Sequence, residues 1–409
     1  MRILFITQWF DPEPSPIAGG GLVRWLRDQG HYVHVVTGFP NYPDGVVYDG
    51  YEISTRQTSA FDDGIDLTRV WLKPSHDSSA LKRMATYLSF AVSAATLGLP
   101  KGDFDVIYAY QGQATIGIPA LVAKRKYDAP AVLHVQDFWP DTVTNSGFLP
   151  DKAVKLIDPP LRMLCRAMYA RMDRTIGLSP GMTALLTANK ADPATAETII
   201  NWAEEDLFLP DTWQPAPPSD HCTLLYAGNL GPFQRVDLAI RAAAKAYERA
   251  PGFRLDVVGT GPEEDKLAAL VAELRAPNVT LSGKKPYHEM PALNHAADSI
   301  LVCLDDLDFF TGIVPSKCQV GLAAGRPVVG ALRGDARALL DASGGAITCD
   351  PGNVDAMADA FVQLTEMGPE ARSEMGRTGR AYYEAELSLD AGAAAIEAAL
   401  TRAVADHRR

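Results

Sequence analysis

Hydrophobic and polar positions along this chain follow two alternating periods. Short apolar runs, each closed by Gly, Pro or polar residues, are separated by longer stretches with helical spacing. Ile3 to Thr7 is one such run and reads as a buried parallel strand. The loop WFDPEPSPIAGGG follows it, then LVRWLRDQG with helical periodicity and a stop at Gly30, then YVHVVTG, a second buried-type strand. This is a βαβ unit, and it implies a parallel sheet. The pattern continues with a strand at Phe104 to Tyr110, a helix from Ile116 to Tyr127 and the strand APAVLHVQD, which ends in polar residues. A strand at Arg174 to Ser179 with its helix, and ETIINW (Glu197 to Trp202), close the series.

Pro210, Pro215, Pro217 and Pro218 then crowd into FLPDTWQPAPPSDH, which reads as an interdomain linker. A second series begins beyond it. CTLLYAG is a strand, NLGPFQRVD a turn, and LAIRAAAKAYERA an Ala-rich helix. RLDVVGTGP is a strand with a Gly loop, and EEDKLAALVAELR is a helix with acids in its first turn, where the helix dipole favours them. NVTLSG, SILVCL and RPVVGA are further strands, while PSKCQVGLAAG, DAMADAFVQL and the tail after Asp390 are helical. The expected architecture is α/β, with two Rossmann-like doubly wound domains at 1–203 and 221–388, a linker at 204–220 and a final helix at 389–409. Open α/β sheets bind ligands at the carboxyl ends of their strands, and a cleft between two such domains is a favoured site.

Composition narrows the class. At roughly 150 residues per domain, 409 residues make two to three domains. A hydrophobic content of 47% with 22% charged residues excludes disorder, collagen and coiled coil. A net charge of -12 argues against broad nucleic-acid binding. Cys165, Cys222, Cys303, Cys318 and Cys349 lie far apart with no CxxC, as expected of reduced thiols in a cytoplasmic protein. MRILFITQWF turns polar at Asp11 too early for a signal peptide. The stretch Tyr87 to Pro100 falls short of the roughly 20 apolar residues that span a bilayer.

Candidate chemistry sits in the loops. Gly19, Gly20 and Gly21 precede the first helix, where glycines either let backbone N–H groups approach an anion or form a plain turn. Gly228, Asn229, Leu230 and Gly231 form the matching loop of the second series, with Arg235 placed to clamp a diphosphate or to face solvent. Gly259, Thr260 and Gly261 make another loop on the same sheet. Pro315, Ser316 and Lys317 are the most informative cluster, because a Lys beside a helix N-terminus makes an anion cradle. Asp137 ends a strand and is placed to orient or deprotonate a hydroxyl, or to cap a turn. His134, inside that strand, reads as a core histidine. The eight His show no metal-binding spacing, and Asp305–Asp306 reads as an acidic turn before it reads as a cation site. Leu161 to Arg174 carries Arg162, Arg166, Arg171 and Arg174 among apolar residues, and Lys82 and Arg83 precede another apolar stretch. Either suits an anionic membrane surface or an ordinary amphipathic helix.

MRILFITQWFDPEP, VVTGFPNYPDGVVYDGY, QDFWPDT, IINWAEEDLF, YAGNLG, VVGTGPEEDKL and PSKCQVGLAAGRPVV, in that order, resemble the family 4 retaining glycosyltransferases of GT-B fold, over nearly the whole chain. The resemblance is nearest to the bacterial polysaccharide and O-antigen branch with its fucosaminyltransferase-like enzymes. It implies transfer of a sugar from a nucleotide-diphosphate donor, a UDP-sugar foremost, to an acceptor hydroxyl on a lipid-linked glycan. The last helix would cross back to the first domain, and the enzyme would touch the cytoplasmic membrane face peripherally. By the resemblance, Gly228, Asn229, Gly259, Gly261, Ser316 and Lys317 line the donor site. Asp137, the Gly19–Gly20 loop and Asn41-Tyr42-Pro43 face the acceptor or the reacting sugar. Lys317, Arg235 and the amides at the start of the PSK helix would stabilise the leaving diphosphate, with no cofactor and no metal, and Asp137 would position rather than attack. The chain departs from the family pattern in three places. Gly312 and Val320 stand where many members have glutamates, Asn229 and Gln234 where many have Arg and Lys, and Gln136 where many have His. A nucleotide-sugar 2-epimerase of the same fold and a non-catalytic nucleotide-sugar-binding subunit are the alternatives. A dinucleotide-dependent dehydrogenase lacks the full glycine fingerprint.

Overall fold

The computed structural model describes all residues except 15, 16, 18, 76–79, 142–150 and 218, and gives no side-chain surroundings for 80, 81 and 151–153. The chain forms two compact units, Met1–Ile200 with Gly392–Arg409, and Asn201–Ala391.

The first unit runs β1 (Arg2–Ile6), α1 (Gly20–Asp28), β2 (Tyr32–Gly38), β3 (Arg56–Asp62), β4 (Ile65–Val70), α2 (Ala80–Ser93), β5 (Val106–Gln111), α3 (Gly117–Tyr127) and β6 (Ala131–Val135). It continues through α4 (Asp151–Tyr169), β7 (Arg174–Gly177), α5 (Pro180–Ala188) and β8 (Ala196–Thr198). The sheet order is β3-β4-β2-β1-β5-β6-β7-β8, parallel except for the β3–β4 pair. The apolar runs became central strands because both sheet faces are covered: Ile3, Leu4, Phe5 and Ile6 expose nothing. One core, under α2, α3 and α4, joins Phe90, Ala120 and Met168 to β1, β5 and β6. The β3–β4 hairpin is absent from the sequence reading. Its signal is the two-residue turn Asp63–Gly64, with Gly64 at φ 77.

The second unit holds α6 (Glu205–Phe208), β9 (Cys222–Ala227), α7 (Val236–Arg249), β10 (Phe253–Val258), α8 (Glu264–Leu274), β11 (Val279–Gly283), α9 (Met290–Ala296) and β12 (Ser299–Cys303). Beyond these come α10 (Ser316–Ala323), β13 (Val328–Ala331), α11 (Gly334–Ser343), β14 (Ala346–Cys349), α12 (Val354–Glu366) and α13 (Gly368–Tyr382). Its order, β11-β10-β9-β12-β13-β14, is all parallel and is the doubly wound pattern with its switch point between β9 and β12. Ala239, Ala242, Ala243 and Ala246 are fully buried on α7, their small side chains letting the helix approach the sheet closely.

ETIINW narrows to a strand at Ala196–Thr198, and from Asn201 the chain belongs to the second unit. The proline-rich segment is strapped onto that unit: Trp213 Nε1 donates to Gly325 O at 3.0 Å, and Arg326 Nη1 to Gln214 O at 2.9 Å. The last helix, α14 (Leu389–His407), folds with the first unit from Gly392 onward. There Glu397 meets His31 Nε2 at 2.8 Å and Asp406 meets Arg174 at 2.6 Å. The basic stretch Leu161 to Arg174 is therefore not one surface helix. α4 ends at Tyr169, and Arg174 is a buried β7 residue held by Glu197 and Asp406. Arg162 is paired with Asp141 and Asp158.

Candidate functional site

The switch point of the second sheet places the loops after β9 and β10 side by side. Gly259 has φ 151, and a Cβ on it would lie 1.8 Å from Gly228 O; a Cβ on Gly261 would lie 2.4 Å from Leu230 O. Gly228 N donates to Val258 O (2.9 Å), Leu230 N to Thr260 O (3.0 Å) and Gly259 N to Gly283 O (2.9 Å). Gly228 and Gly259, expected to line the donor site, thus lie where these two loops meet. The amides serve loop-to-loop bonds, and the glycines are there because the two backbones touch. Asn229 stays exposed, its carbonyl accepting the Tyr226 hydroxyl at 2.6 Å.

Lys317 lies in the first turn of α10, with Ser316 beside it and Pro315 preceding in extended conformation. Its Nζ stands 5.0 Å from the Tyr226 ring centroid, and a Cβ on Gly228 would come within 2.6 Å of Cε and Nζ. Burial holds its ammonium below the ordinary lysine range. The nearby thiols Cys303 and Cys318 stay neutral, pushed up to about 12 by burial. Among the described residues no carboxylate forms an ion pair with Lys317, so an uncompensated cation sits beside a helix N-terminus, an arrangement that suits an anionic ligand.

Arg235 differs. It sits in the left-handed region (φ 47), and its guanidinium meets Asp237 at 3.1 Å and Asp305 at 2.9 Å. Two carboxylates already neutralise the residue expected as a diphosphate clamp. Asp306 in turn meets Arg333 at 2.8 Å, so both acids of that turn are engaged by arginines. Gly312 closes a short 3-10 turn, and Val320 is half-buried on α10.

In the first unit, Gly20 N donates to Asp11 Oδ1 at 3.1 Å, and a Cβ on Gly20 would lie 2.6 Å from Asp11 Oδ2. Gly19 is the N-cap of α1. The first amide of this helix holds a carboxylate of the chain itself. Asp137 lies two residues past β6, its carbonyl accepting from Gln111 Nε2 at 3.4 Å. The residue reaches solvent, which limits the effect, but crowding by protein atoms pushes its carboxyl up to about 6. His134 is a core histidine, fully buried with the Tyr108 hydroxyl 2.7 Å from Nδ1, and burial pushes it down to about 3.

Sequence reasoning missed Glu13. Its buried carboxylate accepts from Asn41 N and Tyr42 N at 2.8 Å and from Phe10 N at 3.1 Å, tying the loop after β1 to the loop after β2. Burial raises its pKa against those three bonds. Near it runs a series of rings: Trp139 to Tyr87 (6.1 Å), Tyr87 to Trp9 (6.4 Å) and Trp9 to Tyr42 (5.1 Å). Trp9, Tyr42 and Trp139 lie just past strands and were the available signal, but the ring contacts link them through Tyr87 of α2, far apart in sequence.

Two family models match the chain, a glycosyl transferase 4-like domain over residues 20–202 and a glycosyl transferases group 1 domain over 221–367. WcaI of Escherichia coli (strain K12), a glycosyl transferase assigned to colanic acid biosynthesis, is 26% identical over 347 residues, covering 80% of this chain and 82% of the relative. WbjE of Pseudomonas aeruginosa, described as a probable glycosyltransferase, is 25% identical over 282 residues, covering 66% and 68%. Among solved structures, Anabaena HepE in complex with UDP and glucose superposes with a TM-score of 0.63 at 15% identity, covering 98% of this chain and 100% of that one. Sucrose-phosphate synthase from Thermosynechococcus elongatus gives 0.67 at 18% identity, covering 99% of each.

Proposed function

We propose, from the premise that this chain belongs to the family 4 glycosyltransferases and has their GT-B fold, that it moves a sugar from a UDP-sugar to a hydroxyl of a lipid-linked glycan in surface polysaccharide synthesis. The observation that carries the donor assignment is Lys317, a half-buried cation without an ion-paired carboxylate among the described residues, set against Gly228 at the N-terminus of α10. As the bond from the sugar's anomeric carbon to the diphosphate breaks, negative charge grows on the departing oxygen. A preorganised cation and helix amides stabilise it there. Arg235, already neutralised, leaves Lys317 as the principal cation of this step.

The first unit supplies Asp137, which positions the acceptor. The acceptor hydroxyl forms the new bond to the anomeric carbon on the face the leaving group occupied. Its proton passes to the departing phosphate oxygen, and configuration is retained. Exposed apolar residues support a lipid-linked acceptor. Leu88 and Val92 on α2, and Leu156, Met163 and Leu164 on α4, lie on helices of one sheet face and open to solvent. A peripheral membrane contact would cover them. Among the described residues no helix is long and apolar enough to cross a membrane.

Lys317→Met tests the reading. UDP release from UDP-sugar should fall about 10²–10³-fold, the usual cost of removing one preorganised donor to a developing charge. Unchanged release from a folded variant would remove Lys317 from the reaction.

A further inference from the structure

We propose that the first unit carries a groove for a neutral oligosaccharide along Gln57 and along Tyr48 and Tyr51, on the loop that also holds Tyr42 of the Trp9–Tyr42 ring pair. The acceptor would then be recognised over more than one sugar residue. This rests on the reaction proposed above for its use, but on independent residues for its existence.

Two recesses adjoin here. One of about 750 Å³ is lined by Tyr48, Asp49, Glu52 and Ser54, and one of about 310 Å³ by Asp11, Ser59, Phe61 and Arg69. Tyr51 and Gln57 line both. Both recesses open to solvent, as a site for a hydrated, extended glycan would. Tyr48 also reaches the ring series, its hydroxyl donating to Tyr42 O at 2.6 Å, and Tyr42 lies 5.1 Å from Trp9.

The lining selects the ligand. Aromatic rings offer flat apolar faces with a polar edge, suited to the C–H face of a sugar ring. Gln57, Ser54 and Ser59 offer both donors and acceptors for hydroxyls. Charge argues against a phosphate or a nucleotide. Asp11, Asp49 and Glu52 outnumber Arg69, whose guanidinium donates to Gly38 O at 2.7 Å and to Asp11 O and lies 5.2 Å from the Tyr51 ring centroid.

The groove is also built in advance. Glu13 fixes the amides of Asn41 and Tyr42, Tyr48 N donates to Pro40 O at 3.0 Å, and Tyr51 N to Tyr48 O at 3.1 Å. A wall ordered before binding spares the ligand that ordering cost. Gln57 stands exposed on β3, the sheet's edge strand, which leaves the groove open at its side.

The test uses the full chain on an immobilised array of neutral monosaccharides, disaccharides and longer oligosaccharides, with UDP binding measured in parallel by calorimetry. At least one oligosaccharide should bind about tenfold more tightly than any monosaccharide, and Tyr51→Ala should weaken it about tenfold while UDP affinity stays at the parent value. Gln57→Ala, on the exposed edge, gives the same reading should Tyr51→Ala fold poorly. The groove is refuted by an array with no bound member, by equal binding of single sugars, or by binding that neither substitution changes. Glycan binding by a chain that fails to bind UDP would sustain the groove and overturn the proposed reaction.

Discussion

Gly259→Ala tests how the second unit holds Lys317 in register. The added Cβ would stand 1.8 Å from Gly228 O, against the 3.0 Å below which real Cβ contacts are essentially never found. The Gly228 carbonyl must therefore retreat by the difference, more than about 1 Å, and it cannot flex aside as a side chain would. Gly228 packs directly on Lys317 Cε and Nζ, so the shift reaches the ammonium. A misplacement of about 1 Å near a reacting group costs on the order of 10²-fold in rate. The left-handed backbone at φ 151 adds about 1–3 kcal/mol of strain for any residue with a Cβ. UDP release from UDP-sugar should therefore drop about a hundredfold, with a lower melting midpoint and a retained circular dichroism spectrum. A variant that turns over and binds UDP like the parent would show that the loop pair does not set the position of Lys317.

Arg235→Gln should change UDP affinity by at most about 1 kcal/mol, because Asp237 and Asp305 already neutralise it in a partly exposed cluster; a loss as large as that of Lys317→Met would return Arg235 to the phosphate clamp. Asp137 has its carboxyl raised to about 6, so it takes up its proton as pH falls through that region; kcat/KM should show an acid limb near pH 6 that Asp137→Asn, slower throughout, lacks, and an identical limb in the variant would assign it to another group. Met163→Asp with Leu164→Asp should reduce co-sedimentation with anionic vesicles while leaving UDP binding intact, and undiminished sedimentation would place the membrane contact elsewhere.

The parallel strands were legible because burial on both faces demands unbroken apolar runs, as in SILVC of β12, where every residue is buried. The hairpin strand β3, RQTSAFD, was not: it lies mostly exposed at the sheet edge and carries no apolar alternation, so only Asp63–Gly64 betrays it. Lys317 was legible as a candidate because its chemistry is local, a lysine in the first turn of a helix. Arg235 looked equivalent in sequence, yet its charge is settled by Asp305, seventy residues away. The same distance problem hid Glu13, whose partners Asn41 and Tyr42 lie on another loop. The glycine loops showed that backbones must approach closely there. They did not show what approaches: at Gly259 it is Gly228 O, and at Gly20 it is the carboxylate of Asp11.

The central claim is that the second unit grips a nucleoside diphosphate with Lys317 at the start of α10. A crystal structure of the full chain soaked with UDP addresses it directly. The diphosphate should lie within hydrogen-bonding distance of Lys317 Nζ and of the first amides of α10, beside Gly228. Diphosphate density seated instead against Arg235, or absent from the Lys317 surface at saturating UDP, would contradict it.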